Sequence, residues 1–207
     1  ATAEKAAWQL VLDPYRAGDL VAGRGEGESY AESLARAERL VGFTFRDVQH
    51  FECGGEANDI ARFTHAATGL CFSLIPGGSF LMGSPDSEAD HKRSEGPQRS
   101  VQVEAFLLCQ TACTQEAWER LAGESPSHFK GARRPVEQVS WDDVQVFCSR
   151  AGLRLPSEAE WEYACRGGTQ TSYSFGSGEG ELGRYAEFEG NNGKETKDVG
   201  GKLPNAF

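Results

Sequence analysis

The sequence lacks an excess of positive charge. Its 207 residues include 31 acidic and 21 basic side chains, which give a formal net charge of −10. A negative surface repels the phosphates of nucleic acids and of anionic membranes. We therefore expect no nucleic-acid partner for this chain.

Long apolar runs are missing as well. No stretch approaches the roughly 18 consecutive apolar residues that suggest a membrane-spanning helix. No basic segment followed by an apolar one opens the chain, as a signal peptide would. The hydrophobic content of 39% is still sufficient for a buried core. The sequence predicts a globular protein and leaves its compartment open.

Closely spaced cysteine pairs are also absent. The six cysteines form no C-x-x-C motif, and their density is too low for a disulfide scaffold. We expect buried, reduced thiols, which favours a cytoplasmic location. Cys109 and Cys113 lie closest together, but a strand-like pattern precedes Cys109 and a helix cap follows at Thr114. A chain connection should therefore separate the two thiols, and a thiolate metal site is the alternative.

Histidine clusters are the last missing feature. His50, His65, His91 and His128 show none of the spacings by which histidines bind a metal from one helix or strand. We expect these four side chains to be solvated or packed in turns.

A capping box predicts the start of one helix. Ser157 followed by Glu160 allows the serine hydroxyl and the glutamate carboxylate to bond to each other's backbone amides. Trp161, Ala164 and Cys165 then fall on one helical stripe. This stripe is expected to dock the helix on the core.

Further helices are predicted from their caps. Ser29 should open a helix that runs to Gly42, and Thr114 and Ser140 should open two more. An earlier helix is expected after Thr2. Strands are predicted at residues 60–65 and 101–107, and a hairpin at residues 70–83 that turns at Pro-Gly-Gly.

Four segments follow one another with a recognisable order and spacing. The segments are Phe-Ser-Leu-Ile-Pro-Gly-Gly-Ser-Phe-Leu-Met-Gly-Ser at 72–84, Arg-Pro-Val-Glu-Gln-Val-Ser-Trp at 134–141, Arg-Leu-Pro-Ser-Glu-Ala-Glu-Trp-Glu-Tyr-Ala-Cys-Arg-Gly-Gly at 154–168, and Pro-Asn-Ala-Phe at 204–207. Together they resemble the formylglycine-generating enzyme family, the sulfatase-modifying factor domain. The resemblance covers residues 70–207 and implies an α+β, C-type-lectin-like fold with little regular secondary structure.

The resemblance also divides the chain. Residues 1–50 are predicted to be a small helical extension, residues 51–69 a linker with a strand, and residues 70–207 the N-terminal two-thirds of the family domain. A domain that stops there should expose apolar surface. We expect a protein partner, or the C-terminal part of the same domain, to cover it.

Two functions follow from the resemblance. Family enzymes convert a protein cysteine to formylglycine with a copper(I) ion held by two cysteines, ligands that suit this soft ion. None of the six cysteines here matches that pair, so copper would require cysteines from a C-terminal segment. Our first hypothesis is a non-catalytic binding or scaffold module within a larger bacterial protein. The alternative is the N-terminal part of a copper-dependent oxidase, and an iron sulfoxide synthase is disfavoured because it would need more histidines in the N-terminal region.

The signature residues are assigned to folding, and no catalytic residue is assigned. Arginine forks can bond to backbone carbonyls or to nearby glutamates such as Glu158 and Glu162. Acidic residues in the first turns of capped helices, such as Asp142 and Asp143, are stabilising without any catalytic role. The structural signature consists of Arg154, Pro156, Ser157, Glu158, Glu160, Trp161, Arg166 and Trp141.

The resemblance implies a calcium site in the loop of residues 185–199. Family enzymes hold calcium there through asparagine and aspartate side chains and backbone carbonyls, which are the hard oxygen ligands this ion prefers. The residues carried over are Glu187, Phe188, Asn192 and Asp198, with Glu187 standing where the family has asparagine. An ordinary solvated loop is the alternative.

Overall fold

The computed structural model describes residues 11–12, 29–89 and 91–207. The helix expected after Thr2 falls outside the described residues except at Val11–Leu12, which form a strand instead. Every helix within the described ranges is too short or too polar to cross a bilayer.

Two antiparallel sheets contain the strands of the described residues. The strands are β1 Val11–Leu12, β2 Phe43–Cys53, β3 Glu56–His65, β4 Cys71–Ile75, β5 Gly78–Met82, β6 Arg99–Val103, β7 Phe106–Cys109 and β8 Leu153–Arg154. The larger sheet has six strands in the order β2-β3-β4-β7-β1-β8, and the smaller one pairs β5 with β6.

Helices connect and cover these strands, and the predicted caps are confirmed. The side chains of Ser29, Thr114, Ser140 and Ser157 each accept a hydrogen bond from the backbone amide three residues later. The α-helices are α1 Tyr30–Ala37, α2 Gln115–Ala122, α3 Trp141–Ala151, α4 Glu158–Arg166 and α5 Leu182–Tyr185, with 3₁₀ turns at Arg93–Glu95 and Glu179–Glu181.

The helical interpretation of residues 1–50 is wrong for its last part. Helix α1 ends at Ala37, and β2 begins directly after the left-handed Gly42. Strand β2 pairs with β3 from Phe43 to Cys53, with a register shift between Phe45 and Asp47, so residues 43–50 belong to a sheet rather than to a helical extension. The division into extension, linker and domain stays a prediction, but strands from before residue 50 and after residue 70 share one sheet.

The hairpin predicted for residues 70–83 does not form. Strands β4 and β5 lie in different sheets because β3 and β7 occupy both edges of β4. Strand β5 pairs with β6 instead. Gly77 allows the close approach that this requires, since a Cβ there would lie 2.9 Å from the amide nitrogen of Ala105. The single strand predicted for residues 101–107 is likewise divided between β6 and β7.

Two hydrophobic clusters pack against the larger sheet. The first lies between the sheet and helices α1, α2 and α3, and it includes Phe63, Phe72 and Phe147. The second is smaller and joins Leu108 of β7 to Tyr163 of α4. Helix α4 and the small sheet are therefore held by a different set of contacts from the other helices.

Tyr30 connects α1 to the sheet at the point where β3 and β4 separate. The pairing of β3 with β4 ends at Arg62 and Ser73. Beyond it, the Tyr30 hydroxyl accepts from the backbone amide of Ala61 at 2.8 Å and donates to the carbonyl of Leu74 at 3.4 Å. Burial raises the pKa of Tyr30. Helix α1 is thus bound to the sheet by a polar contact as well as by apolar ones.

Two histidines sit in opposite environments. His65 is buried beside Phe43, its Nδ1 lies 2.9 Å from the Thr68 hydroxyl, and burial lowers its pKa. His50 is exposed, with Nδ1 2.7 Å from Asp59 and Nε2 3.2 Å from Glu52. Hydrogen bonds to Asp59 and then to Glu52 raise the pKa of His50.

We expect Tyr30→Phe to lower the free energy of unfolding by about 1–2 kcal/mol, because the Ala61 amide loses its partner in a buried position. Urea unfolding measures this change. The matched control is Tyr173→Phe, because the Tyr173 hydroxyl donates to the Glu179 carboxylate at 3.4 Å in an exposed position. The control should change stability by less than about 0.5 kcal/mol. Equal losses in the two variants would contradict the bridging role of Tyr30.

We expect the pKa values of His65 and His50 to lie on opposite sides of the ordinary histidine pKa of about 6.5. For His65, the folded pKa is lowered, so its contribution to stability is present above about pH 6.5 and is lost as the pH falls. For His50, the folded pKa is raised, so its contribution is present below about pH 6.5 and is lost as the pH rises through the folded pKa. NMR titration of the ring protons measures both, with His50→Gln assigning the higher one. A His65 pKa above that of His50 would refute the assignment.

Candidate functional site

One large groove lies against the second face of the six-stranded sheet. Its volume is about 1160 Å³. Phe51, Ile75 and Leu108 line it from three different strands, and Trp161 and Cys165 line it from α4. The loop of residues 185–205 closes another side. A concave, largely apolar surface with a few polar groups is the usual form of a binding site.

Two of the three residues predicted to dock α4 on the core are exposed instead. Trp161 is 42% exposed and Cys165 is also exposed, whereas Tyr163 and Ala164 are buried. Each residue turns the helix by about 100°, so a face centred on Tyr163 and Ala164 leaves Trp161 and Cys165 more than about 100° away, on the other side of the helix. The Tyr163 ring packs against Phe207 with centroids 5.4 Å apart. Trp161 is therefore a groove residue.

Arg154 forms the predicted fork, but with a different glutamate. Its Nη1 and Nη2 donate to the two carboxylate oxygens of Glu160 at 2.7 and 2.5 Å, and Nη1 also donates to the Leu155 carbonyl. Burial alone would raise the pKa of Glu160, but the bonds from Arg154 and Ser157 hold it below its usual value. Glu158 is exposed in the first turn, and Pro156 is half-buried before the cap.

Arg166 makes both kinds of contact expected of an arginine fork, one with a glutamate and one with a backbone carbonyl. Its Nε donates to Glu162 at 2.9 Å, and its Nη2 donates to the carbonyl of Gly83 at 2.9 Å. Glu162 in turn accepts from the amide of Gly83 at 2.9 Å. The pair therefore binds both polar groups of one glycine and fixes α4 to the end of β5.

The acidic residues at the start of α3 also serve folding. The Asp143 carboxylate accepts from the Ser140 hydroxyl and amide at 2.7 and 2.9 Å, and these bonds lower the pKa of Asp143. Trp141, a residue of the structural signature, is 59% exposed. Burial begins one turn later, at Val144, where α3 reaches the core.

Asn205 is a structural residue whose role the sequence alone did not reveal. Its side-chain amide donates to the carbonyls of Ala164 and Cys165 at 2.5 and 3.1 Å, and its oxygen accepts from the Phe207 amide. The Pro-Asn-Ala-Phe segment therefore caps the C-terminal end of α4. In the sequence, the only indication of this role was that the Pro-Asn-Ala-Phe segment and the helix signature belong to the same family resemblance.

A row of polar residues crosses the sheet below the groove. The register pairs Asp47 with Arg62, Arg62 with Ser73, and Ser73 with Leu108. Arg62 donates to Asp47 through Nε and Nη2, both at 2.6 Å, and Gln110 Nε2 donates to Ser73 Oγ at 3.1 Å. Residues that face each other across strands lie on the same side of a sheet. Only this register reveals the row, which we call the polar row and define as Asp47, Arg62, Ser73 and Gln110.

The cysteines give no sign of a thiolate site. Cys109 and Cys113 are both buried. Burial raises the pKa of Cys109 to about 12 and also raises the pKa of Cys113, so both thiols stay protonated at neutral pH. Within the described ranges, no three His, Cys, Asp or Glu side chains are grouped to hold a metal ion.

The four residues carried over for calcium already have contacts within the loop or stand at its surface. The Glu187 carboxylate lies 3.3 Å from the Lys202 amine. The Phe188 carbonyl accepts from the Asn192 amide at 3.0 Å, and the Asn192 side chain accepts from the amide two residues later at 2.8 Å. Asp198 is exposed beside the groove. In this arrangement the Lys202 amine, rather than a metal ion, lies against the Glu187 carboxylate.

A serine, a histidine and a carboxylate lie together in the loop after β5. Ser84 is buried, its hydroxyl donates to Glu95 at 2.7 Å, and it lies 2.7 Å from Nδ1 of His91. A carboxylate only accepts, so the single hydroxyl proton points to Glu95 and His91 must donate to Ser84. This is the reverse of the bond that activates a serine nucleophile. The cluster holds the loop together.

Comparisons with known proteins agree with this architecture. The model of the Sulfatase-modifying factor enzyme 1-like domain matches residues 61–207. The formylglycine-generating enzyme of Thermomonospora curvata is 28% identical over 163 residues, which cover 54% of each chain. Chaperone protein LppX of Paenibacillus barcinonensis is 26% identical over 188 residues, which cover 64% of each chain.

A solved structure shows the same fold. PvdO from Pseudomonas aeruginosa superimposes with a TM-score of 0.58 at 26% identity, over 67% of this chain and 65% of PvdO. The chain thus spans between half and two-thirds of the length of these relatives. The predicted α+β fold, with a small helix before the family domain, is confirmed. By its fold and by the match over residues 61–207, this chain belongs to the sulfatase-modifying factor enzyme 1-like domain family.

Proposed function

We propose that this chain is a non-catalytic binding module and that its groove takes a polypeptide segment of a partner protein. The observation that carries the proposal is the exposed Trp161 above an apolar floor, on a helix that Arg166 and Glu162 hold in place. Clusters of apolar residues around an aromatic anchor dominate the energy of protein interfaces. Such an anchor is therefore suited to a polypeptide.

The thiol that α4 contributes to the groove is not activated. The Cys165 thiol beside Trp161 has a raised pKa because of burial of its sulfur, even though the residue as a whole is exposed. A protonated thiol is a poor nucleophile and a poor metal ligand. The similarity to LppX, which is named a chaperone, also supports polypeptide binding.

The similarity to formylglycine-generating enzymes supports a second candidate, the N-terminal part of a copper-dependent oxidase. Its copper-binding cysteines would have to come from a further segment, because the described thiols do not form such a site. The discriminating assay incubates the full-length protein with copper and a peptide that contains Cys-x-Pro-x-Arg. Mass spectrometry that shows an aldehyde in place of the thiol would refute the non-catalytic role.

Calcium in the loop of Glu187, Phe188, Asn192 and Asp198 is a further proposal, in which the ion competes with Lys202. We expect Lys202→Met to free the Glu187 carboxylate, so that millimolar calcium raises the melting temperature of this variant more than that of the wild type. Magnesium at the same concentration is the control, because its smaller ion demands a stricter geometry. No rise in either protein would remove calcium from the proposal.

The binding function is tested by selecting short random peptides from a phage-displayed library on the whole chain. We expect selected peptides to quench or shift the fluorescence of Trp161 and to bind more weakly to Trp161→Ala by about tenfold or more. Trp141→Ala is the matched control, since Trp141 is also exposed, 59% against 42% for Trp161, but lies on α3, outside the groove residues. The proposal fails if no peptide is selected, or if the two variants bind alike.

A further inference from the structure

We infer that the polar row bonds the backbone of the bound segment, and that this segment is extended, apolar and low in charge. The inference rests on the proposed polypeptide-binding function and names the chemistry of the partner. It follows from three features of the groove: the donors that the row presents, the apolar residues around the row, and the pairing of the charges at the rim.

The row presents hydrogen-bond donors that its own contacts do not use. The Nε and Nη2 groups of Arg62 donate to the Asp47 carboxylate, which leaves the Nη1 group of Arg62 as a donor for another acceptor. Ser73 accepts from Gln110, which leaves its hydroxyl proton for another acceptor. Ser73 is only 3% exposed, so an acceptor that reaches it replaces little water and forms a bond in a shielded site.

The acceptor that suits this row is an uncharged carbonyl. The positive charge of Arg62 is compensated by the bidentate bond to Asp47, which lowers the pKa of that carboxyl. A carboxylate or phosphate would lose its hydration without meeting a net positive charge. A backbone carbonyl loses less hydration and accepts from Nη1 or from the Ser73 hydroxyl equally well.

Apolar residues flank the row on the same face. Phe51 and Ile75 lie on β2 and β4, and Trp161 stands on the wall above them. In an extended segment, alternate side chains point to the same side. Such a segment can place one carbonyl on the row and alternate apolar side chains on the floor.

Several charges at the rim are paired with one another. Lys197 bonds to Glu195 at 2.8 Å, and Lys202 lies 3.3 Å from Glu187. Glu195 also accepts from Arg134 at 2.9 Å. The other charged residues of the rim, Glu189, Lys194 and Asp198, are of both signs. The rim therefore offers little net attraction to a charged segment, and complementarity favours a neutral partner. The occupant is a segment of a partner protein rather than a second copy of this acidic chain.

The experiment measures selected peptides against the whole chain and three variants. Ser73→Ala removes one donor of the row, and Gln110→Leu removes the amide that orients the Ser73 hydroxyl. Arg120→Met removes an exposed ion pair with Glu116 on α2, away from the groove. We expect the two row variants to weaken every peptide by about tenfold, because a backbone contact does not depend on peptide sequence. Arg120→Met should leave affinity unchanged, and thermal melts confirm that each variant is folded.

The outcomes separate the two proposals. If peptides bind and Trp161→Ala weakens them, but Ser73→Ala and Gln110→Leu do not, the groove is a binding site and the inference about the row is overturned. Selected peptides rich in acidic or basic residues would overturn the neutral partner. A concentration-dependent dimer in sedimentation that competes with the peptides would make a second copy the occupant. Failure to select any peptide would overturn the proposed function itself.

Discussion

Both edges of β4 are occupied, and the candidate site follows from that constraint. Because β3 and β7 flank β4, the chain that leaves it through Gly77 cannot fold back as a hairpin and forms the separate β5–β6 sheet. That sheet packs against α4, and Arg166 and Glu162 fasten the helix to the end of β5. Helix α4 therefore stands over the second face of the large sheet, where it becomes a wall of the groove.

The sequence was informative wherever structure depends on neighbours in the chain. Capping needs only a hydroxyl and an amide three residues apart, so Ser29, Ser140 and Ser157 could be recognised directly. Strand pairing joins distant residues, and an apolar run such as residues 70–75 does not specify its partner. The hairpin predicted at residues 70–83 was wrong for this reason.

The candidate site was harder to predict than the fold. An apolar side chain on a helix is normally expected in the core, yet Trp161 and Trp141 are both exposed, and hydrophobicity alone does not show which tryptophan borders a groove. The polar row exists only through the register that places Arg62 opposite Asp47 and Ser73. A period of two along each strand identifies a face, but it cannot align residues of four strands.

The residues of helix α4 thus have two roles, since some fix the helix in place and Trp161 borders the groove. Ser157 and Glu160 begin the helix, and Arg166 and Asn205 hold its far end, with Asn205 supplied by a distant segment. These contacts fix the helix without any help from a bound partner, so Trp161 is held beside the groove in advance. A wall fixed in this way loses little conformational entropy on binding. The residues that fold the helix therefore also set the position of one wall of the groove.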